Sequence, residues 1–133
     1  PVGSVLVGPS DLIARARRWR KMLGGGMRQS GVLAAAGLWA LEHNVDRLTE
    51  DHARAEFLAK ALRALGAGEV VQSTNMVFFT PTEGGNAALQ AHLAKAGVVI
   101  GAGENGPIRL VLHKDVRDEG LSAAIKAFES YYS

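Results

Sequence analysis

The chain has 133 residues, of which 47% are hydrophobic and 21% are charged, a composition typical of a globular domain and unlike that of a disordered chain. It contains no cysteine, which excludes disulfides and thiolate metal sites and is compatible with a reducing compartment. The longest apolar run, residues 31–41, is shorter than the roughly 20 residues that cross a bilayer. We therefore expect no membrane partner and a cytoplasmic location.

Positive charge is concentrated in one segment of the chain. Six of the fifteen lysines and arginines lie in residues 15–28, and the other nine are outnumbered by thirteen acidic residues. Outside this segment the chain would repel a polyanion, so its net charge of +2 does not indicate a nucleic-acid track. A local cluster of this kind favours one small anionic group, and we expect no nucleic-acid partner.

In chain order, the first elements are a strand and a basic helix. The run PVGSVLVG at residues 1–8 is apolar and rich in valine, which is typical of a buried strand. Ser10 is a suitable N-cap for the helix that follows. The three glycines at residues 24–26 should end this helix, because glycine loses the most backbone entropy on ordering.

Two further helices complete the first half. The segment from about residue 27 to residue 44 is apolar on nearly every side, which predicts a buried helix. The helix predicted for residues 45–65 has charged pairs on its wet side and an apolar stripe on the other. Because His52 lies on that stripe, it is more typical of a core imidazole than of a catalytic base. The stripe consists of Leu48, His52, Ala55, Leu58, Leu62 and Leu65.

The second half changes to strands and short helices in the order β-β-α-β-β-α. Strands that meet as hairpins, with helices on one face, indicate an α+β fold with an antiparallel sheet rather than a doubly wound parallel sheet. The predicted elements are strands at 69–73 and 75–80, a helix at 86–96, strands at 98–103 and 107–113, and a last helix capped by Asp115.

Lys21 and Arg28 flank the three glycines. A glycine backbone admits a ligand closely and leaves its N–H groups free, and Arg28 lies where the predicted second helix begins, at the positive end of its dipole. This arrangement favours a phosphate or carboxylate site, and the alternative is a solvated basic face. It is not a Walker loop, because no Lys-Ser/Thr pair follows the glycines.

Arg109 is the second candidate, in the run GPIRLVLHKD. Strand alternation places it on the face opposite Ile108 and Leu110. A guanidinium within an apolar strand needs a partner, which is either a structural ion pair or the carboxylate of a ligand. The four histidines lack metal-ligand spacing, so we expect no metal site, and no G-x-S-x-G motif is present. From the residues alone, the chain contains anion sites but no reacting group.

The sequence resembles the carboxyl-terminal part of the low-specificity L-threonine aldolases over essentially its whole length, and four stretches carry the resemblance. These aldolases are pyridoxal-phosphate enzymes of the aspartate-aminotransferase fold type, fold type I. The stretches are PVGSVLVG at residues 1–8, RARRWRKMLGGGMRQSGVLAAAGLWALEHNVDRLTEDHARA at 15–55, TNMVFF at 74–79 and IRLVLHKDV at 108–116.

The resemblance implies a division into two parts. Residues 1–26 would be the end of the large cofactor-binding domain with its linker helix, and residues 27–133 would be the small carboxyl-terminal domain. The Schiff-base lysine of the family lies a few residues before the position that matches Pro1. The resemblance therefore implies no catalytic residue in this chain, which would be inactive without the upstream large domain.

The resemblance also implies roles for the anion sites. Arg109 matches the arginine that binds the carboxylate of the amino-acid substrate. Arg28 matches a residue that reaches the phosphate of pyridoxal 5'-phosphate, and Lys21 matches a lysine near this cofactor-binding site, which is formed between subunits of a homodimer or homotetramer. The implied reaction cleaves L-threonine or L-allo-threonine into glycine and acetaldehyde. The alternative is a non-catalytic dimerisation or binding module with a basic arm for an acidic partner.

Overall fold

The computed structural model of the protein describes residues 4–133, which contain five helices and three strands. Contacts divide the chain into two compact units between Asp46 and Arg47, here called the N-terminal unit and the C-terminal unit. The domain boundary implied between residues 26 and 27 stays a prediction. The elements are α1 Ser10–Met22, α2 Gly31–His43, α3 Leu48–Leu65, β1 Gly68–Ser73, β2 Met76–Pro81, α4 Gly85–Lys95, β3 Ile108–Val111 and α5 Asp118–Tyr132.

The strand predicted at the start of the chain is not formed in the described residues. Residues 1–3 lie outside them, residues 4–8 have no regular structure, and Val5 and Val7 are 78% and 79% exposed. A strand needs a neighbour for its N–H and C=O groups, and the sheet that the structure describes consists of β1, β2 and β3 only. The prediction of a buried strand is therefore wrong for residues 4–8 of this chain.

α2 also differs from its prediction. It begins at Gly31 rather than near residue 27, and the carbonyl of Ser30 accepts its first bonds, from the N–H groups of Leu33 and Ala34. None of its residues is buried, although the helix is apolar. The expected burial is wrong for this chain, because no element of the N-terminal unit encloses the helix.

The C-terminal unit has a three-stranded antiparallel sheet in the order β1-β2-β3. Side chains alternate along the strands, so that Val77, Phe79, Ile108 and Leu110 are buried, whereas Val71, Arg109 and Val111 are exposed. Buried residues of α3, α4 and α5 form one core with the inward face of the sheet, and Phe79 meets Phe128 of α5 edge-to-face at a centroid distance of 5.8 Å. This α+β unit confirms the predicted fold class.

The first turn of α3 differs from the predicted apolar stripe. Ala55, Leu58 and Leu62 are buried as expected, but His52 is exposed, so its prediction as a core imidazole is wrong. The adjacent Asp51 is buried instead, with only 3% of its surface exposed. The helix turns this carboxylate inward because ion pairs with arginines compensate its desolvation.

Residues 98–103, predicted as the fourth strand, lie in a loop between α4 and β3. Side-chain amides of Asn86 and Gln90 on α4 bond three of the carbonyls in residues 100–106. Those carbonyls are therefore occupied by a helix and not by a neighbouring strand, which explains why the sheet has three strands rather than four. β3 is also shorter than predicted. α5 is shorter as well, because it begins at Asp118.

Among residues 4–133, no helix combines the length and the apolar character that a membrane span requires.

Candidate functional site

The three glycines after α1 have a structural reason in the N-terminal unit. Gly24 adopts a φ of 82°, which side-chain-bearing residues rarely adopt. The N–H of Gly25 donates to the carbonyl of Arg20 at 2.8 Å. A Cβ added to Gly26 would lie 2.7 Å from Cδ of Lys21. The glycines thus allow the backbone to return against the end of α1 beneath the Lys21 side chain.

Lys21 and Arg28 are both exposed. Lys21 is in the last turn of α1. Arg28 was predicted at the start of α2, but it lies in a bend before that helix. Among the residues that the structure describes, neither side chain forms an ion pair or a hydrogen bond. The N-cap Ser30, two residues after Arg28, makes no side-chain bond to α2, so this helix has unsatisfied N–H groups at its start. Free cations and an uncapped helix N-terminus are together suited to an anion.

A hollow of about 260 Å³ lies between the end of α1 and the first turn of α2. Its cation is Arg20, whereas neither Lys21 nor Arg28 lines it. The sequence analysis did not single out Arg20 from the other arginines of α1. Arg20 could have been identified by its place in the last turn of the helix, four residues before the first of the three glycines. The hollow is lined by Arg20, Gly25, Met27, Ser30, Leu33 and Ala34.

Arg109 lies on the exposed face of β3, opposite Phe78 of β2. The predicted alternation is confirmed, since Ile108 and Leu110 on either side of it are buried. Within residues 4–133, the Arg109 side chain has no carboxylate partner. The ion pair that was the alternative interpretation is therefore not formed, and the guanidinium is free to bind a ligand.

The surroundings of Arg109 are mostly apolar. The strand register puts Val71, Phe78 and Arg109 in one row across the outer face of the sheet. Arg109 also lines a cleft of about 620 Å³ in the C-terminal unit, between residues 97–101 and the start of α5. Asp115, Arg117 and Glu119 also line this cleft, so the attraction of its arginines for a carboxylate is partly opposed by its two acidic residues.

An ion network holds the ends of α3 and α5 together. Two hydrogen bonds of 2.9 and 3.1 Å join the Arg47 guanidinium to the carboxylate of Asp51. Arg54 donates to Asp118 at 2.7 Å and lies 3.5 Å from Glu50. These hydrogen bonds raise the pKa values of Arg47 and Arg54 above the usual arginine value. The network is remote from any reacting group and is structural.

Tyr132 is the last residue of α5 and packs against the core. Its hydroxyl is buried and has no hydrogen-bond partner among the described residues. Burial, followed by the nearby Tyr131, raises the pKa of Tyr132 to about 12. Phe79 packs edge-to-face against this ring, at a centroid distance of 6.1 Å. Tyr132 therefore belongs to the core and not to the site.

Residues 1–83 of the chain match the family model described as beta-eliminating lyase. The chain belongs to this family. Its relatives include the low specificity L-threonine aldolase of Escherichia coli strain K12, 52% identical over 122 residues, which are 92% of this chain and 36% of the relative. The low-specificity L-threonine aldolase 1 of Arabidopsis thaliana is 36% identical over 97% of this chain and 38% of its own length. A probable low-specificity L-threonine aldolase of Schizosaccharomyces pombe is 40% identical over 91% of the chain and 31% of its own length.

The similarity to threonine aldolases confirms the resemblance found in the sequence. The chain spans about a third of the length of these relatives. Within this third, the exposed cations Lys21 and Arg28 belong to the N-terminal unit and Arg109 belongs to the C-terminal unit.

Proposed function

We propose that this chain is the carboxyl-terminal part of a pyridoxal-phosphate-dependent aldolase that cleaves L-threonine or L-allo-threonine into glycine and acetaldehyde. The 52% identity to the Escherichia coli threonine aldolase supports the reaction. The observation that carries the proposal is Arg109, an exposed arginine without a partner in the described chain, on an otherwise apolar row of the sheet. The alternative of a binding module with a basic arm has no support from the relatives.

In this proposal Arg109 binds the α-carboxylate of the amino acid. The fork of the guanidinium matches the two oxygens of a carboxylate, which it can bind through two parallel hydrogen bonds. Fixing the carboxylate fixes the rotation of the substrate about its Cα, so that the Cα–Cβ bond that breaks is held in one orientation. The role is positional, and Arg109 transfers no proton.

Arg28 and Lys21 would bind the phosphate of the cofactor. Both are exposed cations, and Arg28 lies two residues before the uncapped N-terminus of α2, so their charges and the free N–H groups of the helix fit a phosphate. When bound, pyridoxal phosphate supplies the electron sink that stabilises the carbanion left at Cα. The residues of this chain hold its anionic end.

We propose that the chain is inactive without the upstream large domain, since none of its five lysines matches the position of the family's Schiff-base lysine. The complete protein would be a cytoplasmic homodimer or homotetramer. The exposed apolar surface of α2 supports an assembly in which other parts of the protein or a second subunit cover it, with Val32 and Leu41 71% and 67% exposed.

The test uses the full-length protein loaded with pyridoxal phosphate. Acetaldehyde release from L-threonine is measured for the wild type and for Arg109→Gln. We expect the KM for threonine to rise by about tenfold or more, because the variant loses a charge-assisted bond to the carboxylate while its cofactor absorbance is retained.

The matched control is Arg117→Gln, which removes another exposed arginine of the same cleft. We expect its KM to stay within about twofold of the wild type, because the proposal gives Arg117 no bond to the substrate carboxylate. An Arg109→Gln enzyme with wild-type KM would disprove the assigned role, and a wild type that releases no acetaldehyde would disprove the reaction.

A further inference from the structure

The loop between α4 and β3 ends at Pro107, two residues before Arg109. It contains no helix or strand, and yet its last part is held at two points. Nδ2 of Asn86 donates to the carbonyl of Gly103 at 2.9 Å and to the carbonyl of Gly106 at 3.1 Å. Asn86 thus bonds the loop at the end where it joins β3.

Asn86 is built into this position. Only 5% of its surface is exposed, and both protons of its amide are used in the two bonds. Gly84 and Gly85, both at positive φ, precede it and set the direction in which α4 begins. A buried amide with both protons satisfied has one stable orientation, because any other would leave buried polar groups unpaired.

β3 depends on this bond more than an inner strand would. It is an edge strand of four residues and pairs only with β2. Gly106, which accepts from Asn86, has a φ of 84° and is followed by Pro107, so the chain turns sharply there into Ile108 and Arg109. Asn86 therefore fixes the direction in which the backbone enters the strand that carries Arg109.

We propose that Asn86 is a positioning residue for Arg109, acting through the carbonyls of Gly103 and Gly106 to place the guanidinium for an amino-acid carboxylate. This inference rests on the proposed role of Arg109. Asn86 does not touch the substrate, and its contribution is to the accuracy with which β3 and the Arg109 guanidinium are placed.

The experiment uses the full-length enzyme with pyridoxal phosphate bound. Asn86→Asp keeps the shape of the side chain but replaces the NH2 group, which carries both donors, with a carboxylate oxygen that repels the two carbonyls. We expect the KM for L-threonine to rise about tenfold while kcat and cofactor absorbance stay within about twofold. A merely structural role would lower the fraction of folded enzyme and hence kcat, and would leave KM unchanged.

Gln72→Glu is the matched control. Gln72 donates its amide to the carbonyl of Thr74 at 2.7 Å, in the turn between β1 and β2, so the same change removes a similar bond elsewhere in the C-terminal unit. Its KM should remain at the wild-type value. A rise in KM equal to that of Asn86→Asp would overturn the inference, because any loosened loop would then have the effect.

The double variant Asn86→Asp/Arg109→Gln separates this inference from the proposed function. If Asn86 acts through Arg109, the double variant has the KM of Arg109→Gln alone. Two outcomes overturn the inference and leave the role of Arg109 intact. In the first, the KM of the double variant exceeds that of Arg109→Gln by the full factor that Asn86→Asp causes alone. In the second, Asn86→Asp has a wild-type KM while Arg109→Gln has a raised KM. A wild-type KM in Arg109→Gln overturns both. If Asn86→Asp does not fold, Asn86→Ser is measured in the same way.

Discussion

In the C-terminal unit, Leu58 and Leu62 of α3 are buried, whereas Leu38 and Leu41 of α2 in the N-terminal unit are 60% and 67% exposed. Both helices are made largely of alanine and leucine, so composition does not explain the difference. α3 meets a sheet and α5, and it has a charged side for solvent. α2 has apolar residues on every side and nothing in its own unit that encloses it. An apolar helix of this kind is stable only with cover from outside the unit, whereas the C-terminal unit has its own core.

The largest expected effect tests this contrast with the same substitution in both helices. Leu62→Ala should lower the free energy of unfolding of this chain by about 3 kcal/mol, because it opens a cavity in the core. Leu38→Ala should change it by less than about 0.5 kcal/mol, as at other exposed positions. Urea unfolding followed by circular dichroism measures both. Equal losses would show that α2 is covered within this chain.

The second prediction concerns the buried carboxylate of α3. Asp51→Asn should lower the melting temperature by about 5 °C, since Arg47 loses its ionic partner in a largely buried site. Glu50→Gln, one residue away but more than half exposed, should lower it by less than about 1 °C. Differential scanning calorimetry of the two variants provides the comparison. If the melting temperature of the Glu50 variant fell as far as that of the Asp51 variant, burial of the Asp51 carboxylate would not be the cause of its effect.

The third prediction divides binding between the two units in the full-length enzyme. Arg28→Ala should weaken the binding of pyridoxal phosphate by about tenfold, because one charge-assisted bond to the phosphate is lost. The KM for threonine at saturating cofactor should remain unchanged. Loss of the visible cofactor absorbance during dialysis measures the effect, with Arg18→Ala as an exposed arginine control. Equal retention in both variants would remove Arg28 from the cofactor site.

The smallest expected effect is at Tyr132. Tyr132→Phe removes a buried hydroxyl without a partner in the described chain and should raise the stability by about 1 kcal/mol or leave it unchanged.

The pH dependence of stability provides a second measurement on Tyr132. Because the pKa is about 12 in the folded chain and near 10 in the unfolded chain, the neutral tyrosine contributes stability below pH 10 that is lost as the pH rises toward 12. The variant should lose less stability over this range than the wild type. Identical pH profiles would show that Tyr132 ionises as easily in the fold as outside it.

The spacing of apolar residues along the chain predicted the elements whose burial follows from that spacing. The alternation around Arg109, the hairpin of β1 and β2 and the buried positions of α3 from Ala55 onward all follow from periodicity of apolar residues. The exposure of His52 was not predicted. At the start of α3 the spacing of apolar residues continues beyond the core, and the groups buried there form ion pairs instead.

The missing parts depend on contacts between residues distant in sequence. Residues 98–103 have the valine-rich pattern of a strand, but the amides of Asn86 and Gln90 bond the carbonyls that a ladder would use. The site was predicted as separate arginines, and Asn86 was not predicted, because a lone asparagine near a helix start has no signature of the carbonyls it will meet. Arg20 was hidden among the similar arginines of α1.

The brevity of β3 also matters before the protein is fully assembled. A sheet edge offers unpaired N–H and C=O groups to other chains, and proteins protect such edges by short strands and charged side chains. β3 has four residues and carries Arg109 within them. The same guanidinium that we assign to a ligand thus discourages newly made chains from joining edge to edge into aggregates, and for this reason glutamine, which remains polar, is a better replacement there than valine.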